Sequence, residues 1–425
     1  MATTTISKLL VFAALVFVGQ AGLITKPDGP IVPTRYGDVR GLYAEEGAIF
    51  LGLPFGVPPV GELRWKPPRA YNTSWAPRVR DGTVPGPACR QTSCGPNYKD
   101  YQHTCNRDKN KTQSEDCLYL NVFVPRSVLL NSSVRLPVMC WFHGGNYQYG
   151  TGAALIYDGR ILANKTNTVV VTTNYRLGVF GYLVTGEGED DARGNYGTLD
   201  QIEALTWVQQ NIADFGGDKD KVTVFGQSAG SDSIAVLLTS ARAADLFHQG
   251  IMLSVPFSIP LKTQSEAIRY GNDFTKFANC STGDMKCLRS KSADAILDAQ
   301  KKTFWHGHAY CQGHVCHGED IPFVFQTPLL INLTFTREEQ VLADTMVYHY
   351  GNFAHTGDPN KASPNVYTTG NVLKSPLNWP RYNKGNLFPN MNFTTTQSVI
   401  VQDYNKEKCD FWDKENIYSA RNKGN

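Results

Sequence analysis

From about residue 118 to 255, short apolar runs alternate with stretches at helical spacing. Leu118-Tyr119-Leu120-Asn121-Val122-Phe123-Val124 alternates as a strand does, and Leu136 to Phe142 and Thr168 to Thr173 read as buried strands. Leu199, Ile202, Leu205, Val208 and Ile212 keep the spacing of one helix face, and Gly216-Gly217 supplies a helix-stop signal. Val222-Thr223-Val224-Phe225 predicts the next strand, Ile234, Val236, Leu237 and Leu238 a helix, and Gly250-Ile251-Met252-Leu253 a further strand. This alternation predicts an α/β fold with a doubly wound, mostly parallel sheet. No internal repeat or low-complexity tract interrupts it, and no linker marks a second domain.

Gly226-Gln227-Ser228-Ala229-Gly230 falls where a predicted strand turns into a predicted helix. That is the context of a nucleophile elbow, a tight turn that lifts a serine hydroxyl clear of the sheet. The flanking glycines permit the turn, and the helix N-terminus behind the serine favours developing negative charge. Acyl transfer by Ser228 also needs a base, amide donors for the oxyanion and an acid to orient the base. His143-Gly144-Gly145 follows the strand ending in Trp141-Phe142. The Gly144 and Gly145 amides, with that of Ala229, make a candidate oxyanion hole. In this fold the order is serine, acid, histidine, so the base is sought among His248, His306, His308, His314, His317, His349 and His355. Four of these fall with Cys311 and Cys316 in one short segment, but the spacing matches no zinc template, and no metal or organic cofactor is expected.

The chain has 425 residues and a formal net charge of +3. It has no Lys/Arg block of nucleic-acid type, so no nucleic-acid partner is expected. Lys8, the apolar run Leu9 to Val18 and Gly19-Gln20-Ala21 read as a secretory signal over residues 1–21, too short to span a bilayer. No later stretch is long and apolar enough for a span. Seven N-x-S/T sequons, at Asn72, Asn110, Asn131, Asn164, Asn279, Asn332 and Asn392, agree with export and glycosylation. So do ten cysteines. Close spacing suggests Cys280 with Cys287 and Cys311 with Cys316, whereas Cys140, within a buried strand, is expected as a free thiol.

Longer motifs carry a resemblance. Gly52-Leu53-Pro54-Phe55-Gly56, Leu63-Arg64-Trp65, Ser114-Glu115-Asp116-Cys117-Leu118 and Asn174-Tyr175-Arg176-Leu177-Gly178 come first. Gly194-Asn195-Tyr196-Gly197-Thr198-Leu199-Asp200-Gln201, Phe215-Gly216-Gly217-Asp218 and the elbow follow. His317-Gly318-Glu319-Asp320-Ile321-Pro322-Phe323, Asn352-Phe353-Ala354-His355-Thr356-Gly357-Asp358 and Cys409-Asp410-Phe411-Trp412 complete the set. In these the chain resembles the type-B carboxylesterase/cholinesterase family of α/β-hydrolases. The resemblance implies an α/β-hydrolase domain over residues 22–425 and a serine carboxylic ester hydrolase acting on small-molecule esters. It makes His317 the catalytic histidine, Gly144, Gly145 and Ala229 the oxyanion donors, and Cys89–Cys117 and Cys280–Cys287 disulfides.

The chain departs from the family between nucleophile and histidine. Only 89 positions separate Ser228 from His317, and the family's glutamate in a glycine-flanked loop has no counterpart. The intervening acids, Asp232, Asp245, Glu266, Asp273, Asp284, Asp294 and Asp298, sit in no such loop, so no triad acid is assigned. An internal deletion near 302–304 is therefore expected. It would remove late sheet strands and leave Cys409 without its family partner. Two functions remain open: an esterase weakened by the missing acid, or a non-catalytic secreted binding or adhesion protein or inactive splice product of the same fold. The Cys89–Cys117 loop contains Tyr98 and Tyr101 but no tryptophan to stack a quaternary ammonium, so no preference for choline esters is expected.

Overall fold

A computed structural model describes residues 29–92, 113–255, 262–303, 318, 320–331, 333–366, 377–383, 385, 387–395, 398–403, 407 and 414. Its strands run in chain order as β1 (Ile31–Thr34), β2 (Gly37–Arg40), β3 (Leu42–Ala44), β4 (Gly47–Pro54), β5 (Arg80–Asp81) and β6 (Tyr119–Pro125). They continue as β7 (Leu136–Phe142), β8 (Val169–Thr173), β9 (Gly217–Gln227), β10 (Gln249–Leu253), β11 (Asn390–Asn392) and β12 (Val399–Val401). The helices are α1 (Arg126–Leu130), α2 (Arg160–Thr166), α3 (Gly178–Tyr182), α4 (Tyr196–Asn211) and α5 (Ala229–Leu238). They are followed by α6 (Gln264–Phe277), α7 (Met285–Ser290), α8 (Ala293–Thr303), α9 (Ile321–Phe325) and α10 (Arg337–Thr356).

Among the described residues, seven strands form the main sheet in the order β10-β9-β7-β8-β6-β4-β3. β10, β9, β7 and β8 are mutually parallel, whereas β6, β4 and β3 form an antiparallel flank. The parallel block carries the α/β plan that the apolar runs predict. Val169-Val170-Val171 in β8 and the whole of β7 are buried, as central parallel strands covered on both faces must be.

Alternation along β7 shows how the two faces are covered. Val138, Cys140 and Phe142 join a cluster with Leu205 and Val208 of α4 and Ile234 and Leu237 of α5. Met139 and Trp141 point the other way, into a cluster with Leu162 of α2, Val324 and Phe325 of α9 and Val347 of α10. Trp141 packs its ring 5.1 Å from Tyr157, 4.8 Å from Phe225 and 5.0 Å from Phe325. Helices therefore lie on both faces, and α9, from beyond the expected deletion, packs under the strands that carry the elbow.

β10 ends the sheet: among the described residues it pairs with β9 alone. Its residues are only half-buried up to Met252, which is 38% exposed, in contrast to the enclosed β7 and β8. None of the described helices is long and apolar enough to cross a membrane.

Candidate active site

The register places the carboxyl ends of β7, β9 and β10 side by side, with Phe142 opposite Gly226 and Gln227 opposite Leu253. That end of a parallel sheet is where open α/β folds place their ligands. Ser228 stands between β9 and α5 with φ 57° and ψ −124°. Such a backbone costs an L-residue on the order of 1–3 kcal/mol and persists only where its surroundings enforce it.

The surroundings do so at close range. A Cβ on Gly230 would lie 2.0 Å from the Phe142 carbonyl oxygen, and one on Gly226 would lie 2.7 Å from the Gly230 carbonyl carbon. Only hydrogen at these two positions lets helix and strand approach. The Ser228 N–H donates to the Leu253 carbonyl at 3.0 Å, which ties the turn to the end of β10. The Ser228 carbonyl accepts the Asp232 N–H at 2.9 Å and the Ser231 hydroxyl at 2.6 Å. Ala229 opens α5, so its N–H has no partner within the helix.

The glycine loop after β7 lies against this turn. A Cβ on Gly144 would come within 3.1 Å of Ser228 Cβ and 2.7 Å of the Gln227 carbonyl oxygen. Gly145 has φ +108°, in the region that favours glycine. His143 is buried, and its Nδ1 lies 2.8 Å from the Gly144 carbonyl. Because a carbonyl can only accept, Nδ1 carries the proton. Burial pushes the His143 pKa down to about 4, so the ring is neutral near pH 7. It stacks on Tyr175 at 4.4 Å, and the Tyr175 hydroxyl donates to the His143 carbonyl at 2.7 Å. A trans peptide points its N–H away from its carbonyl, so fixing the Gly144 carbonyl also fixes the direction of the Gly145 N–H.

Gln91 holds the far side of the loop. It accepts the Gly150 N–H and donates to the Gly150 and Cys89 carbonyls, each at 2.9 Å. These supporting roles of His143, Tyr175 and Gln91 have no signature in spacing, because they act through space on backbone groups. Only the position of His143 immediately before the glycine pair could have pointed to it.

Other sequence candidates are placed away from Ser228. His248 Nδ1 accepts the Val222 N–H, His349 Nδ1 lies against the Pro359 carbonyl, and His355 Nε2 lies against that of Thr166. His306, His308, His314 and His317 lie outside the described residues, as do Glu319, Cys94, Cys105, Cys311, Cys316, Cys409, Tyr98 and Tyr101. Near His317, however, Asp320 is described: its Oδ2 accepts the Ser254 hydroxyl at 3.4 Å, one residue beyond the Leu253 carbonyl that holds Ser228.

Most of the acids between Ser228 and the expected deletion have local duties. Glu266 completes the capping box of α6, and Asp284 caps α7. Asp294 pairs with Arg90, Asp298 with Lys301 and Asp273 with Lys276. Asp232 sits on α5, with its pKa raised by burial, and Asp245 lies between α5 and β10. A cleft beside Arg64, Trp65 and Glu115 lies apart from Ser228, and its Arg64 is already held by Glu115 through two 2.6 Å bonds.

Cys89–Cys117 and Cys280–Cys287 are bridged, and Cys140 is a buried free thiol whose pKa burial raises. Asn72, Asn131, Asn279 and Asn392 are exposed and Asn164 is half-buried on α2, whereas Asn110 and Asn332 lie outside the described residues.

A model of the carboxylesterase family matches residues 28–312 and 308–412. The crystal protein of Dictyostelium discoideum is 40% identical over 67% of this chain and 48% of its own length. Rat liver carboxylesterase 1F is 39% identical over 69% of this chain and 53% of its own length. The chain thus spans about half the length of these curated relatives. The crystal structure of the Geobacillus stearothermophilus carboxylesterase EST55 at pH 6.2 superposes with a TM-score of 0.74 at 26% identity, covering 90% of this chain and 99% of that one. A thermophilic PNB esterase gives 0.75 at 25% identity, covering 89% and 98%.

Proposed function

The chain belongs to the carboxylesterase family, and from that premise we propose that it is a secreted serine carboxylic ester hydrolase, or a shortened product of a gene for one. The observation that carries this reading is the strained Ser228 backbone, with Gly144 packed against its side chain. Nothing in ordinary packing requires a serine at φ 57° between a strand and a helix, whereas a nucleophile elbow does.

In this mechanism Ser228 Oγ attacks the ester carbonyl while His317 takes its proton. The Gly144, Gly145 and Ala229 amides hold the oxyanion, and His317 returns the proton to the departing alcohol. Water then clears the acyl-enzyme by the same steps. The bond between Ser254 and Asp320 supports the placement of His317, since it brings the chain three residues beyond that histidine to the end of β10. No triad acid is assigned. Loss of the orienting acid costs a serine triad on the order of 10⁴-fold, so a weak esterase is expected.

A missing internal segment accounts for that loss. Two observations support it: the family model matches in two pieces that meet near residue 310, and β10 is an edge strand among the described residues. Export is supported by the residue 1–21 signal pattern, the two disulfides among the described residues and the exposed sequons.

Hydrolysis of p-nitrophenyl butyrate by the purified glycosylated chain tests the proposal. Measurable turnover is expected, abolished by Ser228→Ala and reduced about 10- to 100-fold by His317→Ala, because triad losses do not add and the acid's share is already lost. A choline ester is expected to turn over no faster than the neutral butyrate. Turnover unchanged in Ser228→Ala would refute the assignment. No turnover in the folded wild type would favour the non-catalytic binding protein instead.

A further inference from the structure

α8 buries Ile296, Leu297, Ala299 and Gln300. Three of these are apolar, as the inner face of an amphipathic helix should be, but Gln300 is a polar side chain only 1% exposed. A buried amide at this place needs partners, and it has two. Its Oε1 accepts the Val179 N–H at 2.9 Å, at the start of α3. Because a backbone N–H can only donate, the other end of the amide is Nε2, which donates to Gln148 Oε1 at 3.0 Å.

Gln148 belongs to the loop that carries Gly144 and Gly145. The same loop is pinned one residue earlier, where the Gly178 N–H donates to the Tyr147 carbonyl at 2.6 Å. Asn146 and Tyr147 both have positive φ, 54° and 57°, so the loop is not in a conformation it would hold unaided. Gly178, at φ 51°, is needed for the approach: a Cβ there would lie 2.4 Å from Gln300 Oε1.

We infer that Gln300 is a positioning residue for the oxyanion loop. It clamps the loop to the start of α3 through Gln148 and Val179. The catalytic consequence rests on the reading of Ser228 as the nucleophile; the mechanical brace does not. Gln300 precedes the expected deletion, so the shortened chain keeps its oxyanion amides set in place although it lacks the triad acid.

The test compares the full-length wild type with Gln300→Leu, Gln148→Leu, the double variant and Leu297→Ala. Leu297 lies on the same helix but packs among Phe274 and Leu288, so its truncation loosens α8 without removing the brace. The rate of fluorophosphonate capture at Ser228 is expected to fall about tenfold in Gln300→Leu, a fraction of what losing an oxyanion donor costs. Gln148→Leu should match it, and the double variant should be no slower than either single one. Hydrogen exchange of the amides from 144 to 150 should quicken at least fivefold in Gln300→Leu and stay within twofold of wild type in Leu297→Ala. Unchanged loop exchange in Gln300→Leu, or equal quickening in a Leu297→Ala protein of matched stability, overturns the brace. If the folded wild type captures no probe, the hydrolase reading fails, and the exchange measurement still decides the brace.

Discussion

Ser228 keeps its side chain in place by accepting a backbone conformation that favours glycine, and that cost is measurable. Replacing it with alanine removes the hydroxyl and leaves the strain; replacing it with glycine removes both. Ser228→Gly is therefore expected to be more stable than Ser228→Ala by about 1–3 kcal/mol in urea unfolding. Equal stability would mean that the turn is unstrained. His143 makes a second prediction at this scale. Burial holds its folded pKa at about 4, against 6.5 for the free group. Between those values the unfolded chain binds a proton that the folded chain does not, so stability falls as pH drops from about 6.5 to about 4 and is unaffected above that window. The loss approaches about 3 kcal/mol at the acid end. Burial also lowers the pKa of His349 and His355, with the same sign. A urea midpoint that does not fall between pH 7 and 4.5, or a slope unaltered by His143→Gln, would contradict this.

The elbow joins β9 to α5 with no room for a side chain at its glycines. Gly230→Ala would press a Cβ onto the Phe142 carbonyl of a buried strand, which cannot give way as a flexible side chain could. A loss of more than about 3 kcal/mol, or failure to fold, is expected. Gly61→Ala instead puts a side chain at a positive φ where nothing lies within 4 Å, and should cost about 1–2 kcal/mol. The two thermal midpoints, measured side by side, separate close packing from strain alone. These parallel elements were legible because their apolar runs follow regular periods. Of the antiparallel flank only β6 was legible, through the alternation from Leu118 to Val124. β4 is buried along its whole length and shows no alternation, and β9 begins with the polar Gly217-Asp218-Lys219-Asp220, which no strand pattern signals. Ser228 and the glycine pair could be read because their turns demand particular residues. Gln91 and Gln300 could not, because an amide that reaches across the fold to a backbone group leaves no trace in local order.

Across the whole molecule, the Cys89–Cys117 bridge closes a loop of sequence separation 28 onto the floor that supports Gln91 and Gly150. Its replacement by two alanines is expected to lower stability by about 3–4 kcal/mol from loop entropy alone. A change under about 1 kcal/mol would show that the folded packing holds the loop without it. At the opposite margin the sheet ends, among the described residues, in a half-buried parallel strand, where enclosed strands are the rule. These features meet around one serine, Ser228. The most direct test is fluorophosphonate treatment of the folded chain, followed by mass mapping of the peptide that spans β9 and α5. A single adduct on Ser228, lost in Ser228→Ala, is the predicted result. An unmodified Ser228 in folded protein, or an adduct on another residue, would contradict it.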